Sequence, residues 1–199
     1  MQNKTFYVRR ALAFALAGSM MTTLFLLVLQ GRWQEAIPLH LCSLAAMAAV
    51  ILALRPRVYL LDFLWYLGMP GAALALLFPA PAVSRFQTLM TGSYVTTHVL
   101  ILLIPAYLMV LGMRPEAYAS GRMLLTLNAA ALCAALVNGA LGTDFLFLSA
   151  PAAGTPLEAV YQLGMPAYLC SLELLMAALC LMMERLARML CAENMRIKR

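Results

Sequence analysis

Cysteine and histidine are the residue types in this chain that most readily do chemistry near neutral pH. Cys42 closely follows Pro38 at the start of an apolar run. A position near a helix N-terminus favours the thiolate, which is a strong nucleophile. The chain has two histidines, His40 and His98. Because residues two apart point about 200° apart around a helix, His40 should face away from Cys42. His98, about six residues into another apolar run, is the better candidate for a general base.

Other polar residues near these positions are candidates for orienting or binding roles. Asp144 or Asn138 could hold the second nitrogen of the His98 imidazole, as in Cys-His-Asn arrangements. Glu173 either carries a proton or pairs with a tyrosine or asparagine. The candidate substrate-binding or orienting residues are His40, Asn138, Asp144, Tyr168 and Glu173.

Each of these residues also has an ordinary structural interpretation. Cys42 is also compatible with a small buried side chain, and His40 with a capping or hydrogen-bonded histidine. Cys42 and Cys170 could form a disulfide on an oxidising face of a membrane. With two histidines and no Cys-x-x-Cys pattern, a zinc site is not expected. The sequence therefore predicts neither a bound metal nor a cofactor.

The composition shows what kind of fold must position these residues. Hydrophobic residues make up 64% of the 199 residues, charged residues 11%, and the mean hydropathy is +0.87. Soluble domains have about a quarter charged residues, so lipid must solvate much of this chain. The net charge of +6 comes from basic residues clustered at helix ends. That clustering indicates membrane topology, and we do not expect a nucleic-acid partner.

Six apolar runs have the length and composition of membrane-spanning helices. None of these runs alternates apolar and polar residues over a long stretch, so the sequence does not predict the strands of a membrane β-barrel. The sequence therefore predicts an all-α fold, a single domain over residues 1–199 formed by a six-helix transmembrane bundle. The predicted spans are Ala11–Leu29, about Pro38–Leu54, Val58–Phe78, Gly92–Gly112, Met123–Leu141 and Leu157–Met183.

The basic residues predict the orientation of the bundle. If the N-terminus is inside, twelve of the fourteen lysines and arginines fall in inner segments, and the outer loops hold only Arg32 and Arg85. Positive charge favours the cytoplasmic side. We therefore expect a multi-pass protein of the bacterial inner membrane with both termini in the cytoplasm. The inner residues are Lys4, Arg9, Arg10, Arg55, Arg57, Arg114, Arg122, Arg185, Arg188, Arg196, Lys198 and Arg199.

Several stretches of the chain resemble the YwaF-like family of small integral membrane proteins. The animal relative of that family is the transmembrane protein 164 type of phospholipid acyltransferase. The resemblance spans about residues 38–168. It rests on Ile37-Pro38-Leu39-His40-Leu41-Cys42, on Tyr94 to His98, on Asn138-Gly139 followed by Gly142-Thr143-Asp144-Phe145-Leu146-Phe147-Leu148, and on Gly164-Met165-Pro166-Ala167-Tyr168.

The resemblance implies six helices and a cysteine that carries a fatty acyl group between lipids. It implies that Cys42 is the nucleophile and His98 the base, and that membrane phospholipids are the substrates. Protein partners are not predicted. Two other functions remain open at this point. One is thiol–disulfide exchange by Cys42 and Cys170, and the other is a non-catalytic transporter or assembly subunit with a polar path.

Overall fold

A computed structural model describes residues 2–79 and 86–197. Within these residues the structure is helical, without strands, and six helices are long and apolar enough to cross a membrane. The predicted all-α, six-helix fold is confirmed, and the chain is a multi-pass membrane protein. The helices are α1 Gln2–Leu29, α2 Leu41–Leu54, α3 Val58–Leu77, α4 Gln87–Val110, α5 Ser120–Leu141, a short α6 Leu157–Tyr161 and α7 Met165–Ile197.

The helix starts differ from the predicted spans in several places. Helix α1 begins at Gln2 and α5 at Ser120, both earlier than the predicted Ala11 and Met123. Helix α2 begins at Leu41 after a separate 3₁₀ turn, Trp33–Ala36, because an extended His40 interrupts the helical backbone. Helix α4 begins at Gln87, five residues earlier than predicted. The last apolar run is two helices, since Gly164 adopts a positive φ of 104° between α6 and α7.

Helix α3 lies at the centre of the bundle and contributes to both of its apolar clusters. Leu61 and Leu64 pack in a cluster with α1, α2 and α4, while Trp65 and Tyr66 pack with α5 and α7. Residues Leu64–Gly68 form a turn of π-helix, all of it buried. The extra residue in this turn shifts the facing side chains. Successive residues of this helix, Leu64 and Trp65, therefore pack in two different apolar clusters.

Small residues let α2 approach its neighbours closely. Ala45, Ala46 and Ala49 are almost completely buried in the cluster with α1 and α4. In lipid, helices associate through such close packing and not through the hydrophobic effect. At one end of the bundle, Arg9 of α1 donates hydrogen bonds to the Ala53 and Leu54 carbonyls of α2, at 2.8 and 3.2 Å. This arginine satisfies carbonyls that the end of α2 leaves unpaired.

A buried carboxylate joins three segments at that same end. Asp62 of α3 is 0% exposed, accepts a hydrogen bond from the Glu116 backbone N–H at 2.8 Å and pairs with Arg122 at 2.6 Å. The Tyr66 hydroxyl donates to the Glu116 carbonyl at 2.7 Å. Arg122 reaches Asp62 because the 111–119 loop folds back over α3.

We expect Asp62→Ala to destabilise the bundle more than Glu116→Gln does. Asp62→Ala removes two hydrogen bonds to a buried charged group, which costs about 2–3 kcal/mol. Glu116→Gln breaks only the Glu116–Arg122 pair, whose side chains are 55% and 44% exposed, and such pairs contribute about 1 kcal/mol or less. Equilibrium unfolding in mixed micelles measures both changes. If the two variants lost the same free energy of unfolding, the buried carboxylate would have no special structural role.

Three of the basic residues from which we predicted the orientation lie outside the described residues: Arg85, Lys198 and Arg199. The described basic residues still separate by position along the bundle. Arg9, Arg114 and Arg122 are at the end that holds Asp62, whereas Arg32 lies at the opposite end, in the connection before α2.

Candidate functional site

Cys42 and His98 line the same cavity. The cavity lies between α1, α2 and α4 and has a volume of about 190 Å³. Ala46 at its buried side is fully enclosed, while Thr91 and Val95 on α4 are exposed at its rim. The described residues that line the cavity carry no charge, and its wall is mostly apolar: Met20, Leu24, Ala46, Met90 and Val95.

His98 is held in a defined orientation. The side chain is 3% exposed. Its Nδ1 lies 2.7 Å from the backbone carbonyl oxygen of Tyr94, one helical turn earlier, and the two rings are 4.1 Å apart between centroids. Since a carbonyl oxygen only accepts hydrogen bonds, Nδ1 carries the proton. The lone pair is then on Nε2, which is the form of imidazole that acts as a base.

The thiol of Cys42 lies at the N-terminus of α2, where the first backbone N–H groups have no carbonyl partner within the helix. Cys42 is the second residue of the helix, and His40 at the N-cap makes no side-chain capping bond. The first intrahelical bond runs from Leu44 N–H to the His40 carbonyl. The N–H groups of Cys42 and Ser43 and the Ser43 hydroxyl interact with the Cys42 sulfur. These donors stabilise a thiolate, whereas burial of the sulfur opposes the charge, so the two effects act against each other at this position.

Cys42 and His98 lie at different distances from the starts of their helices. In the structure Cys42 is one residue into α2 and His98 is eleven residues into α4, or about 1.5 and 16 Å along the two helices. They share a cavity because α2 begins deep in its span, after the 3₁₀ turn and the extended residues before Leu41.

A second polar group surrounds His40, the residue that precedes α2. The His40 ring lies 5.1 Å from the ring of Phe145 and interacts electrostatically with Asp144. Tyr168 is buried beside them and donates from its hydroxyl to the Phe147 carbonyl at 2.6 Å. His40 does not line the cavity. Its backbone is extended, so the helical spacing on which the sequence prediction rested does not apply to it. We call these residues the His40 cluster.

Asn138 and Asp144 hold the loop of the His40 cluster and make no contact with the His98 imidazole. Asn138 accepts from the Phe145 N–H at 2.8 Å and from Thr143 at 3.0 Å, and donates to the Phe145 carbonyl at 3.1 Å. Asp144 accepts from the backbone N–H groups of residues 149 and 150. The expectation that either one orients His98 is therefore wrong. The Nδ1 of His98 instead donates its hydrogen bond to the backbone carbonyl of Tyr94, on the same helix.

The loop also stores backbone strain. Leu146 and Phe147 adopt φ of 61° and 55°, a left-handed conformation that costs a bulky residue roughly 1–2 kcal/mol. The three hydrogen bonds of Asn138 and the two of Asp144 offset this cost. They fix the loop against His40, the residue that precedes α2.

Glu173 and Cys170 lie away from the cavity. Glu173 accepts a hydrogen bond at 3.0 Å from the Asn128 amide, on the exposed face between α5 and α7. Cys170 is exposed, and all five cysteines are free thiols. No group of three or more His, Cys, Asp or Glu side chains suited to a metal ion occurs in the described part of the chain.

The sequence analysis did not predict the roles of two residues near the site, Tyr94 and Ser19. Tyr94 orients His98, and its own hydroxyl donates to the Ala75 carbonyl of α3 at 2.7 Å. Ser19 of α1 donates to the Ser93 carbonyl and contacts Thr97 at 2.9 Å, which joins α1 to α4 behind the cavity. The i, i+4 spacing of Tyr94 and His98 is the signal that could have indicated the first of these contacts.

Comparison with known proteins identifies the family. The family model described as TMEM164 family matches residues 1–184. No curated protein and no solved structure matches the chain. The match supports the predicted relation to the transmembrane protein 164 type, while the YwaF-like relation stays a prediction. Since the matched region covers most of the chain and contains both the cavity and the His40 cluster, this protein belongs to the TMEM164 family.

Proposed function

We propose that this protein is a membrane acyltransferase that moves a fatty acyl group to or from a glycerophospholipid through a thioester on Cys42. The observation that carries the proposal is that a thiol at a helix N-terminus and a histidine with a free Nε2 line one apolar cavity. Nucleophile, base and apolar wall are the parts that covalent acyl transfer needs.

In the first half-reaction, Nε2 of His98 takes the proton of the Cys42 thiol. The thiolate attacks the carbonyl carbon of a phospholipid ester, and a carbon–sulfur bond forms. The ester carbon–oxygen bond then breaks. The departing lysophospholipid alkoxide receives the proton from the His98 imidazolium, which returns the histidine to its neutral form.

The N–H groups in the first turn of α2 stabilise the charge that develops on the carbonyl oxygen. The N–H groups of Cys42 and Ser43 are close to the sulfur and so close to any carbonyl that the sulfur attacks. Backbone donors in such a position act as an oxyanion hole, and removing one donor typically costs about 100- to 1,000-fold in rate. The helix dipole adds to the same effect.

In the second half-reaction, an acceptor hydroxyl loses its proton to Nε2 of His98 and attacks the thioester carbonyl. The carbon–sulfur bond breaks, a new ester forms, and the sulfur regains the proton. A second lipid is the acceptor in a transferase, and water would make the protein a hydrolase. The apolar rim at Val95 favours lipids that enter sideways from the bilayer.

The two alternative functions have less support. A Cys42–Cys170 redox pair would need the two thiols to meet, whereas Cys170 is exposed on α7 and is not part of the cavity wall. A polar transport path would need connected polar side chains through the bundle. The Glu173–Asn128 pair is separate from the cavity, on an exposed face.

Intact-mass analysis after incubation with phosphatidylcholine vesicles tests the proposal. We expect an adduct of one acyl chain on Cys42, removed by hydroxylamine, because hydroxylamine cleaves thioesters. A protein that remains unmodified, with no lysophospholipid released, would rule out the acyl-enzyme mechanism.

We propose further that both termini and the 111–119 loop are cytoplasmic in a bacterial inner membrane, with the His40 cluster near the outer surface. The asymmetry of the basic residues supports this orientation. In intact bacterial cells, Ala153→Cys should react with a membrane-impermeant maleimide, while Glu116→Cys should react only after permeabilisation. The reverse labelling pattern would show that the bundle has the opposite orientation in the membrane.

A further inference from the structure

We infer that the cavity beside Cys42 holds only the first part of the acyl chain, so that the protein discriminates lipids by the shape of the carbons near the carbonyl. The remainder of the chain stays in the bilayer. This inference rests on the proposed function, because it assumes that the acyl carbonyl reaches Cys42. Beyond that function, it specifies which part of the substrate the protein recognises.

The volume of the cavity sets the limit. An apolar cavity of about 150 Å³ holds a benzene ring, which has six carbon atoms. By the same scale, about 190 Å³ holds roughly seven or eight carbons. A membrane acyl chain of 16 carbons is about twice that length. The second half of the chain must therefore leave the cavity.

The rim shows where the chain leaves. The cavity wall contains Cys42, the partly buried Leu24 and Met20 of α1, and the exposed Thr91 and Val95 of α4. Both exposed residues belong to α4, which is long and apolar enough to cross a membrane. An acyl chain that leaves the cavity beside them would therefore enter the bilayer.

Shape, and not chain length, is what such a cavity can recognise. A methylene moving from the bilayer into the protein exchanges one apolar surrounding for another and gains little. Additional bulk inside a packed site is different, because overpacking raises the free energy of the complex. A branch on a carbon inside the cavity should therefore slow acylation, while a branch beyond the rim should have no effect.

The experiment uses isomeric phosphatidylcholines whose palmitoyl chains carry one methyl branch at carbon 4 or at carbon 12. The isomers have the same number of carbons, so they partition equally into the vesicles. Acylation of Cys42 is followed by intact mass. We expect the carbon-4 branch to slow acylation about tenfold, the size of a typical overpacking effect. The carbon-12 branch should be within about twofold of the unbranched chain, since it meets only lipid.

Two leucine-to-alanine variants serve as test and control. Leu24→Ala enlarges the cavity and should restore the rate with the carbon-4 branch to within about threefold of the unbranched chain. Leu132→Ala makes the same change on the exposed face of α5 and should leave the tenfold difference in place. Met20→Ala is a second enlarging variant, to be used if Leu24→Ala does not fold.

The outcomes separate the inference from the proposed function. Acylation that is equally slow for both branch positions, or slowed only at carbon 12, would overturn the inference and leave the acyl-enzyme intact. A carbon-4 penalty unchanged by either enlarging variant would also overturn it. No acylation by the unbranched lipid would overturn the proposed function itself.

Discussion

Cys42→Ser should lower acyl capture from phosphatidylcholine by at least about a thousandfold. A serine hydroxyl ionises far less readily than a thiol, and removing the nucleophile from a catalytic unit typically costs about a millionfold. The hydroxyl has nearly the same shape as the thiol, so the packing of the first turn of α2 should be preserved. Release of lysophospholipid, measured by mass spectrometry in micelles, checks the rate.

Cys170→Ser is the matched control for this substitution. Cys170 is exposed on α7 and does not line the cavity, so its loss should change the rate by less than about twofold. The pair of variants also tests the redox alternative directly. If Cys170→Ser removed activity as fully as Cys42→Ser does, the two thiols would act together, and the thioester mechanism would be wrong.

His98→Ala should lower acyl capture by about 100- to 10,000-fold, the usual contribution of a positioned general base. The same substitution should slow alkylation of Cys42 by N-ethylmaleimide, because less of the thiol is then present as thiolate. Wild-type Cys42 should in turn react faster than Cys133 or Cys180. Quenched time courses with peptide mapping follow each cysteine separately.

His40→Ala is the control for the base. His40 is beside Cys42 in sequence but belongs to the His40 cluster, so its loss should affect the proton transfer less than His98→Ala does. The double variant of Cys42→Ser and His98→Ala should be scarcely slower than either single variant, since residues that share one step are strongly non-additive. Fully multiplicative losses would show that the two residues act in separate steps.

The amino-acid sequence determined that lipid surrounds much of the chain and that the chain forms six long apolar helices. Lipid solvation follows from composition, because so few charges cannot cover so much apolar surface. Six helices follow from six apolar runs, since a backbone in hydrocarbon must satisfy its own hydrogen bonds. Helical spacing does not explain why His40 lies outside the cavity, because His40 is an extended residue before the first turn of α2.

Only the tertiary structure decided which side chains meet. The pairing of Asp62 with Arg122 depends on how the 111–119 loop folds back, and neither residue's neighbours in sequence indicate it. Asn138 binds the strained loop before Leu148 because α5 ends beside that loop. The cavity shared by Cys42 and His98 arises because α2 begins well inside its span while α4 begins early. Helix periodicity is a local property, whereas relative helix depth is set by packing between helices that are far apart in sequence.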